Sequence, residues 1–417
     1  DDIREYLEDQ ISLSPILTDT IINDIALSPE EFIARLNSLR LSHPQTDSIY
    51  ALHAARIRFI SFQFKPLLRF LRADRPRLLI ADEVGVGKTI EAGLILRELQ
   101  SRQELKNILI LCPKALVQKW KAEMRRFDED FKPLTAETLR YCIKETHLDG
   151  TWPSQYARSI VHLELLRREE YLEGTQEKRS KPGLLTLNPP PKFDLLIVDE
   201  AHHLRTPDSN TNKLARLLCD ISEAVVFLTA TPIQLGSKNL FTLLNLLRPD
   251  QFIDVTLFDE MALPNRHLNQ AIRHIRTKMP KDTWQNDAYS SIDNALGTAW
   301  GQSVLANDPR IIEWLSQIKE NCELTDEKRI KFIRDMEDVH TLAHIMNRTR
   351  RRDIGRFTIR EPFTIQVPFT EEQQKVYDAL ISLRKEVLSL NYPKNVINLI
   401  IGTLERQATS CLPALIP

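Results

Sequence analysis

A glycine-rich turn between a short apolar run and a helical pattern constrains the fold of this chain more than any other feature. Arg77–Ala81 is an apolar run typical of a buried strand, and the turn Asp82–Gly87 follows it. Lys88 and Thr89 then open a segment whose apolar residues have helical spacing up to Gln100. This order favours a phosphate-binding loop, because glycine lets the backbone wrap a phosphate group and a helix N-terminus adds positive potential.

The loop supplies most of a candidate nucleotide site. Lys88 is expected to neutralise charge on the β- and γ-phosphates, and the Thr89 hydroxyl to hold Mg²⁺. Asp82 stands where the pattern G-x-x-x-x-G-K-T has its first glycine. A chance glycine-rich turn is disfavoured, since the strand, the Lys-Thr pair and the helix are all present. The candidate binding residues are Asp82, Glu83, Val84, Gly85, Val86, Gly87, Lys88, Thr89 and Ile90.

Three further apolar runs predict an α/β fold. The runs are Asn107–Cys112, Phe193–Asp199 and Ala224–Thr229, with helical patterns between them. Short apolar strands that alternate with helices favour a parallel sheet covered by helices on both faces. Such sheets bind ligands at the carboxyl ends of their strands. Asp82, Pro113, Asp199 and Thr229 fall at those ends, so we expect them to lie along one edge of the sheet.

Two adjacent carboxylates end the run 193–199. Asp199 fits an outer ligand of Mg²⁺, and Glu200 fits the base that orients or deprotonates an attacking water molecule. The alternative is a solvated acidic strand end, which the upstream phosphate loop disfavours. Thr229 and Thr231, at the end of the next run, are candidates for sensing the γ-phosphate, with a simple strand-end turn as the alternative.

The bulk composition limits the other classes of protein. The 417 residues carry a net charge of −1, so any nucleic-acid surface must come from local patches. The five cysteines form no C-x-x-C pair, which argues against a zinc module or a disulfide framework and favours a reducing cytosol. No stretch approaches the length of an apolar membrane span, so no membrane partner is expected.

Three segments together resemble the superfamily-two helicases, and specifically the Swi/Snf-type double-stranded DNA translocases. They are Ala81–Gly93 (ADEVGVGKTIEAG), Asp199–Leu204 (DEAHHL) and Leu228–Gln234 (LTATPIQ). The residues of these three segments, together with Asn347–Arg350 further along the chain, resemble those of the bacterial RapA-like branch. The resemblance implies a RecA-like P-loop lobe with a helical insertion, ATP and Mg²⁺ as cofactors, double-stranded DNA as partner, and a nucleoid-associated place in the bacterial cytoplasm.

The resemblance also implies roles for single residues. Gln63 resembles the upstream glutamine that reads adenine, with an ordinary polar helix residue as the alternative. His202, Thr229 and Thr231 resemble coupling residues at the nucleotide edge, and a zinc role for His202 is disfavoured because no third ligand accompanies it. Trp120 is favoured as core packing over base stacking. The candidate nucleic-acid contacts are Pro113, Lys114, Lys119, Arg348 and Arg350.

The chain is expected to divide into five segments. They are a helical N-terminal segment (1–50), the RecA-like ATPase lobe (51–240), a mostly helical family-specific insertion (241–345), a return to the lobe with an arginine-rich stretch (346–370) and a helical linker (371–417). A surface loop is expected over 174–192 and a less regular region over 250–270. The arginine-rich stretch either contacts phosphate groups or is a solvated helix end paired to acids elsewhere.

The expected activity is ATP hydrolysis coupled to movement on duplex DNA, in anti-phage defence or in the recycling of transcription complexes. A second RecA-like lobe, from the same full-length chain or from another subunit, is expected to complete the motor, because the pattern Q-x-x-G-R-x-x-R is absent here. Further protein partners are also expected. The isolated segment is expected to hydrolyse ATP slowly. The alternatives are a nucleotide-gated scaffold subunit and an RNA helicase.

Overall fold

A computed structural model describes residues 60–83, 85–175, 181–230, 236–277, 283–319 and 325–349, with residues 28, 49–50 and scattered positions from 370 to 386. The expectations for most of the N-terminal segment (1–27 and 29–48), for the arginine-rich stretch from Arg350 to residue 369, for the linker from residue 387 onward, and for Val84 and Thr231 lie outside the described residues. The chain divides into two compact units, residues 1–356 and 357–417. In the second unit the described positions from 371 to 386 are helical. No helix in the described ranges is long and apolar enough to cross a membrane.

The described residues form a seven-stranded parallel sheet and a small two-stranded ladder. The strands are β1 (Arg77–Ile80), β2 (Ile108–Cys112), β3 (Lys132–Pro133), β4 (Arg158–His162), β5 (Gly174–Thr175), β6 (Lys181–Pro182), β7 (Phe193–Val198), β8 (Ser222–Leu228) and β9 (Met346–Asn347). The large sheet has the order β3-β4-β2-β7-β8-β1-β9, with every neighbouring pair parallel. This confirms the predicted RecA-like α/β fold.

Helices cover both faces of the sheet and build the insertion. They are α1 (Lys65–Arg72), α2 (Lys88–Arg102), α3 (Val117–Met124), α4 (Ala136–Asp149), α5 (Leu163–Leu166), α6 (Glu169–Leu172), α7 (Asn210–Asp220), α8 (Gly236–Leu247), α9 (Val255–Thr277), α10 (Trp284–Leu296), α11 (Pro309–Lys319) and α12 (Asp326–Val339). Single helical turns lie at Ser61–Phe64, Lys114–Leu116, Arg125–Phe127, Ser154–Tyr156, Leu184–Thr186, Ala201–Leu204 and Gly301–Leu305.

The strands are nearly all apolar because both faces of the sheet are buried. Successive residues of a strand point to opposite faces. In β1, Leu78 and Ile80 therefore join the core under α1, α2 and α3, whereas Leu79 joins the core under α4, α7 and α8. All three side chains are fully buried. Each apolar strand thus fixes the position of the polar residues that follow it.

The insertion has a hydrophobic core of its own. Leu268, Ile292, Trp314 and Phe332 come from four different helices and meet there. A self-contained apolar core of this kind lets a helical insertion extend from one edge of a sheet without disturbing the strands. The predicted helical character of this region is confirmed for its described residues.

We expected an irregular region over 250–270. This prediction is wrong from residue 255 onward, because α9 is continuous from there to Thr277. Pro264 lies inside this helix and removes one backbone hydrogen-bond donor. Tertiary contacts compensate beside it. The side chain of Asn265 donates to the Thr341 hydroxyl at 2.7 Å and accepts from the Thr341 backbone N–H at 2.9 Å.

Several parts of the lobe differ from the sequence-based expectations, among them the short strands β3, β4 and β9. β4 was not expected, and it pairs with β2 over five residues; only Ser159, Ile160 and Val161 of this short strand are buried, which leaves little pattern. The segment 174–192 is not a plain surface loop, since β5 and β6 pair there and Leu184 is buried. Gly174, with a φ of 89°, lets the two short strands approach closely.

Candidate active site

The register of the sheet brings the predicted strand ends to one edge. Ile80 is level with Leu228, and Val198 is level with Phe227. The phosphate loop, Thr229 and the acidic pair therefore leave the sheet on the same side. Because β8 lies between β1 and β7, Thr229 stands between the loop and the acidic pair, which are separated by about 10 Å at the usual strand spacing.

The loop is shaped by two glycines in the left-handed region. Gly85 has a φ of 85° and Gly87 a φ of 113°. Gln63 is buried and donates from Nε2 to the Val86 carbonyl oxygen at 3.0 Å. A Cβ atom at Gly87 would lie 2.3 Å from that Nε2 atom. The turn therefore needs glycine at 87, and Gln63 lies at the loop; its contact with adenine stays a prediction.

The first two residues of α2 supply polar groups at the loop. Lys88 donates from Nζ to the Asp82 carbonyl oxygen at 3.0 Å, so its ammonium group folds back over the loop. Thr89 is half-buried beside it. The first N–H groups of a helix have no partner within the helix and add positive potential. The ammonium, the hydroxyl and these N–H groups form a donor set that fits a triphosphate.

Asp82 ties the loop to the strand that follows the insertion. Its side chain is fully buried, and Oδ1 accepts hydrogen bonds from the Thr349 backbone N–H at 2.8 Å and from Asn347 Nδ2 at 3.1 Å. The Glu83 backbone N–H donates to the Thr349 carbonyl oxygen at 3.1 Å. The residue in the first-glycine position thus has a structural side-chain contact, while its carbonyl oxygen contacts Lys88.

Glu91 is a second buried carboxyl group behind the loop. Burial, and then the charge of nearby Asp82, raise the pKa of Glu91 to about 10. Burial also raises the pKa of Asp82. Glu91 is therefore a neutral acid at pH 7, which lowers the cost of burying two carboxyl groups side by side.

Asp199 is held from two sides. Trp120 Nε1 donates to Oδ2 of Asp199 at 2.7 Å, and the Glu200 backbone N–H donates to Oδ1 at 2.8 Å. Trp120 is almost completely buried, so it packs in the core as expected. The sequence did not predict its hydrogen bond to the carboxylate.

Glu200 has a strained backbone conformation. Its φ of 50° lies in the left-handed region, which residues other than glycine seldom adopt and which costs them about 1–3 kcal/mol. Its Oε2 atom lies 3.1 Å from His202 Nδ1. Burial, and then the neighbouring His203, lower the pKa of His202, which favours its neutral form at pH 7. His202 is therefore placed to respond to the position of the Glu200 carboxylate.

The oxygen donors of Thr89 and Asp199 fit Mg²⁺ by their chemistry. Mg²⁺ prefers oxygen ligands and is usually held by one or two protein groups together with phosphate oxygens and water. Within the described ranges, no three His, Cys, Asp or Glu residues cluster in a way that could hold a metal ion. An ion at this edge of the sheet would thus share its ligands between these two residues and the nucleotide.

The predicted nucleic-acid residues near β2 lie together. Pro113 and Lys114 directly follow the strand, and the Lys114 side chain is exposed. The Lys114 backbone N–H donates to the Glu164 carboxylate at 3.2 Å, and Glu164 lies 3.3 Å from His162 Nδ1. Lys119, on α3, is also exposed. The ends of β2 and β4 therefore carry a small polar surface with two exposed lysines.

Arg348 lies apart from this surface. It follows β9, and three strands separate β9 from β2, so about 19 Å lies between Arg348 and Lys114 at the usual strand spacing. Arg348 lines a cavity of about 300 Å³ between α1 and the insertion. Lys65 and Arg276 in this cavity both pair with Glu337 at 3.6 Å. We interpret this cavity as part of the boundary where the insertion packs against α1.

Three residues of the site were missed by sequence reasoning as functional positions. They are Glu91, Trp120 and Asn347. Glu91 has the helical spacing of a core position in α2, and a carboxylate at such a position is the one signal that could have marked it. The partners of Trp120 and Asn347 are too distant in sequence for any spacing to reveal them.

Sequence similarity to known proteins identifies the family of this chain. The model of the SNF2-related domain matches residues 66–407. The chain is 33% identical over 252 residues to the RNA polymerase-associated protein RapA of Histophilus somni (strain 129Pt), covering 59% of this chain and 25% of that protein. It is 29% identical over 347 residues to RapA of Pseudomonas putida (strain W619), covering 82% of this chain and 33% of that protein. The chain thus spans about a quarter to a third of the length of these curated relatives.

Among solved structures, the Sulfolobus solfataricus SWI2/SNF2 ATPase core in complex with dsDNA is similar, with 14% sequence identity and a TM-score of 0.42. The match covers 87% of this chain and 60% of that chain. The family model covers most of the sequence, and the parallel sheet is the one that the three motifs implied. The chain belongs to the SNF2-related domain family, as a Swi/Snf-type superfamily-two ATPase of the RapA-like branch.

Proposed function

We propose that this chain is the ATP-binding lobe of a motor that hydrolyses ATP and moves along double-stranded DNA. The common edge of the sheet supports this proposal, because the loop on β1, Thr229 after β8 and the acidic pair after β7 end side by side. A γ-phosphate held by the loop would lie next to Thr229 and within reach of Asp199 and Glu200.

The side chains divide the work of hydrolysis. Lys88 exchanges its bond to the Asp82 carbonyl oxygen for a phosphate oxygen and neutralises charge there. Thr89 and Asp199 would hold Mg²⁺, which would neutralise the charge that develops on the phosphate oxygens. Glu200 orients the attacking water molecule and accepts its proton.

Movement requires that this site communicate with DNA. The exposed Lys114 and Lys119 suit contacts with backbone phosphates, and His202, Thr229 and Thr231 suit the sensing of nucleotide state. We propose that a second RecA-like lobe, in the same full-length protein or in another subunit, closes the cleft. Anti-phage defence and the recycling of transcription complexes are the settings we propose, in the bacterial cytoplasm near the nucleoid.

Steady-state ATP hydrolysis by the full-length protein tests the proposal. Lys88→Ala and Glu200→Gln should each lower the rate about 100-fold or more, since one removes the phosphate partner and the other the base. Glu223→Gln, which alters an exposed carboxylate on β8, is the matched control and should leave the rate unchanged. Full activity in both site variants would show that the site does not hydrolyse ATP.

Competition separates the alternatives. Duplex DNA should stimulate ATP hydrolysis, and duplex RNA added as a competitor should not reduce that stimulation. Stimulation by RNA alone would favour an RNA helicase, and ATP binding without hydrolysis would favour a nucleotide-gated scaffold.

A further inference from the structure

The indole N–H of Trp120 contacts a carboxylate that the proposed chemistry requires. The distance from Nε1 to Asp199 Oδ2 is 2.7 Å, and the Trp120 side chain is only 1% exposed. A short bond from a buried donor with a fixed ring orientation is a strong constraint on a carboxylate. The partner is the acidic residue at the end of β7, not a distant surface group.

Asp199 keeps the capacity to bind a cation while this bond is made. A carboxylate offers about four lone-pair sites on its two oxygen atoms. Trp120 and the Glu200 backbone N–H occupy one site on each oxygen. Because these two hydrogen bonds fix the orientation of the carboxylate, they also set the direction in which its remaining lone pairs point. Partners of this kind set the orientation of a metal-binding side chain, and their loss typically weakens metal affinity 10- to 100-fold.

The donor also lies on the helix next to the polar surface at the end of β2. Trp120 is in α3, which follows Pro113 and Lys114 after one helical turn, and its neighbour Lys119 is exposed. A helix is rigid over such a short length, so a shift of this segment moves the indole N–H against Asp199.

We propose that Trp120 is a positioning residue, which orients Asp199 for Mg²⁺ and couples the segment Pro113–Lys119 to the metal site. The inference rests on the proposed function, because it assigns Asp199 to the ion that accompanies ATP. It adds a route by which contact of this segment with DNA reaches the nucleotide.

The same pair of side chains occurs once more in the insertion and provides a matched control. Trp314 Nε1 donates to Asp335 Oδ2 at 2.8 Å, and Trp314 is also 1% exposed. This pair joins α11 to α12, and Trp314 belongs to the separate hydrophobic core of the insertion. If the bond from Trp120 to Asp199 only supports packing, removing either indole N–H should have the same effect on Mg²⁺-dependent ATP binding. If it positions Asp199, only the removal at Trp120 should change that binding.

The test measures ATP binding to the full-length protein by titration calorimetry, with Mg²⁺ and with EDTA. Trp120→Phe and replacement of Trp120 by β-(3-benzothienyl)alanine, which puts sulfur in place of the N–H and keeps the ring shape, both remove the donor. Each should reduce the gain in ATP affinity that Mg²⁺ gives by about tenfold or more. The affinity in EDTA should stay unchanged, which also shows that the variants fold. Trp314→Phe should change neither value.

A second measurement, with duplex DNA added, tests the coupling between the segment Pro113–Lys119 and the metal site. Duplex DNA should change the affinity of the wild-type protein for ATP with Mg²⁺, and the benzothienyl variant should lose most of that change. An unaltered Mg²⁺ gain in the benzothienyl variant, or an equal loss in Trp314→Phe, would overturn the inference. If the wild-type protein bound ATP no more tightly with Mg²⁺ than with EDTA, that result would instead overturn the proposed function.

Discussion

Asn347 and Asp82 are 265 positions apart in the sequence, and the side-chain amide of Asn347 donates to Asp82 Oδ1 at 3.1 Å. Both side chains are buried. The bond fastens the strand that follows the insertion to the residue that opens the phosphate loop. Any displacement of the insertion that moves β9 therefore acts directly on the loop.

Asn347→Ala should destabilise the protein by about 1–3 kcal/mol, because Asp82 Oδ1 loses one of its two buried donors. The free energy of unfolding in urea measures this change. Asn294→Ala, at an exposed position on α10, is the matched control and should change stability by no more than about 0.5 kcal/mol. Equal effects of the two substitutions would show that the bond contributes nothing.

Glu91→Gln should alter how stability depends on pH. Glu91 ionises with its ordinary pKa of 4.5 in the unfolded chain and with a pKa of about 10 in the folded protein, so the folded state binds the extra proton between these values. The wild-type protein therefore loses up to about 1.4 kcal/mol of stability per pH unit from this group as pH rises through that window. Glutamine has no proton to lose, so the variant should gain stability relative to wild type over the same window.

Urea denaturation of both proteins at about pH 5.5, 6.5 and 7.5 follows this difference. The exposed Glu223→Gln provides the comparison, and its difference from wild type should be flat. A flat difference for Glu91→Gln as well would mean that Glu91 is ionised in the folded protein.

Gly87→Ala should weaken ATP binding about tenfold. The left-handed backbone costs a residue with a Cβ atom roughly 1–2 kcal/mol, and the new methyl group would displace Gln63 from Val86. Gly297→Ala is the control, since the space around that Cβ is open to 3.6 Å and its φ is −66°. The dissociation constant of ATP, measured by calorimetry, compares them. Wild-type affinity in Gly87→Ala would mean that the loop opens differently when it binds ATP.

The sequence predicts those parts of the fold in which each element carries its own signal. The runs that became β1, β2, β7 and β8 are apolar on both faces and end at polar residues, so their type and the position of the site follow directly. β9 has two residues, and its pairing with β1 depends on a long insertion folding back. No local pattern carries that information.

The same limit applies to the site. The phosphate loop and the acidic pair are contiguous in sequence and were recognisable, whereas Trp120 and Asp199 are 79 positions apart. Their contact exists only because β2 and β7 are neighbours in the sheet, which sets α3 beside the end of β7. Pairing of distant residues is decided by sheet order, and sheet order is not written in the local periodicity of any strand.

Displacement of a third strand from a DNA triplex is the most direct test of ATP-driven movement on duplex DNA. A motor that tracks the duplex removes the third strand and leaves the two strands of the duplex paired. The full-length wild-type protein should displace the third strand with ATP and not without it, and Glu200→Gln should bind the same DNA without displacing it. Hydrolysis of ATP with no displacement, or separation of the duplex itself, would contradict the account.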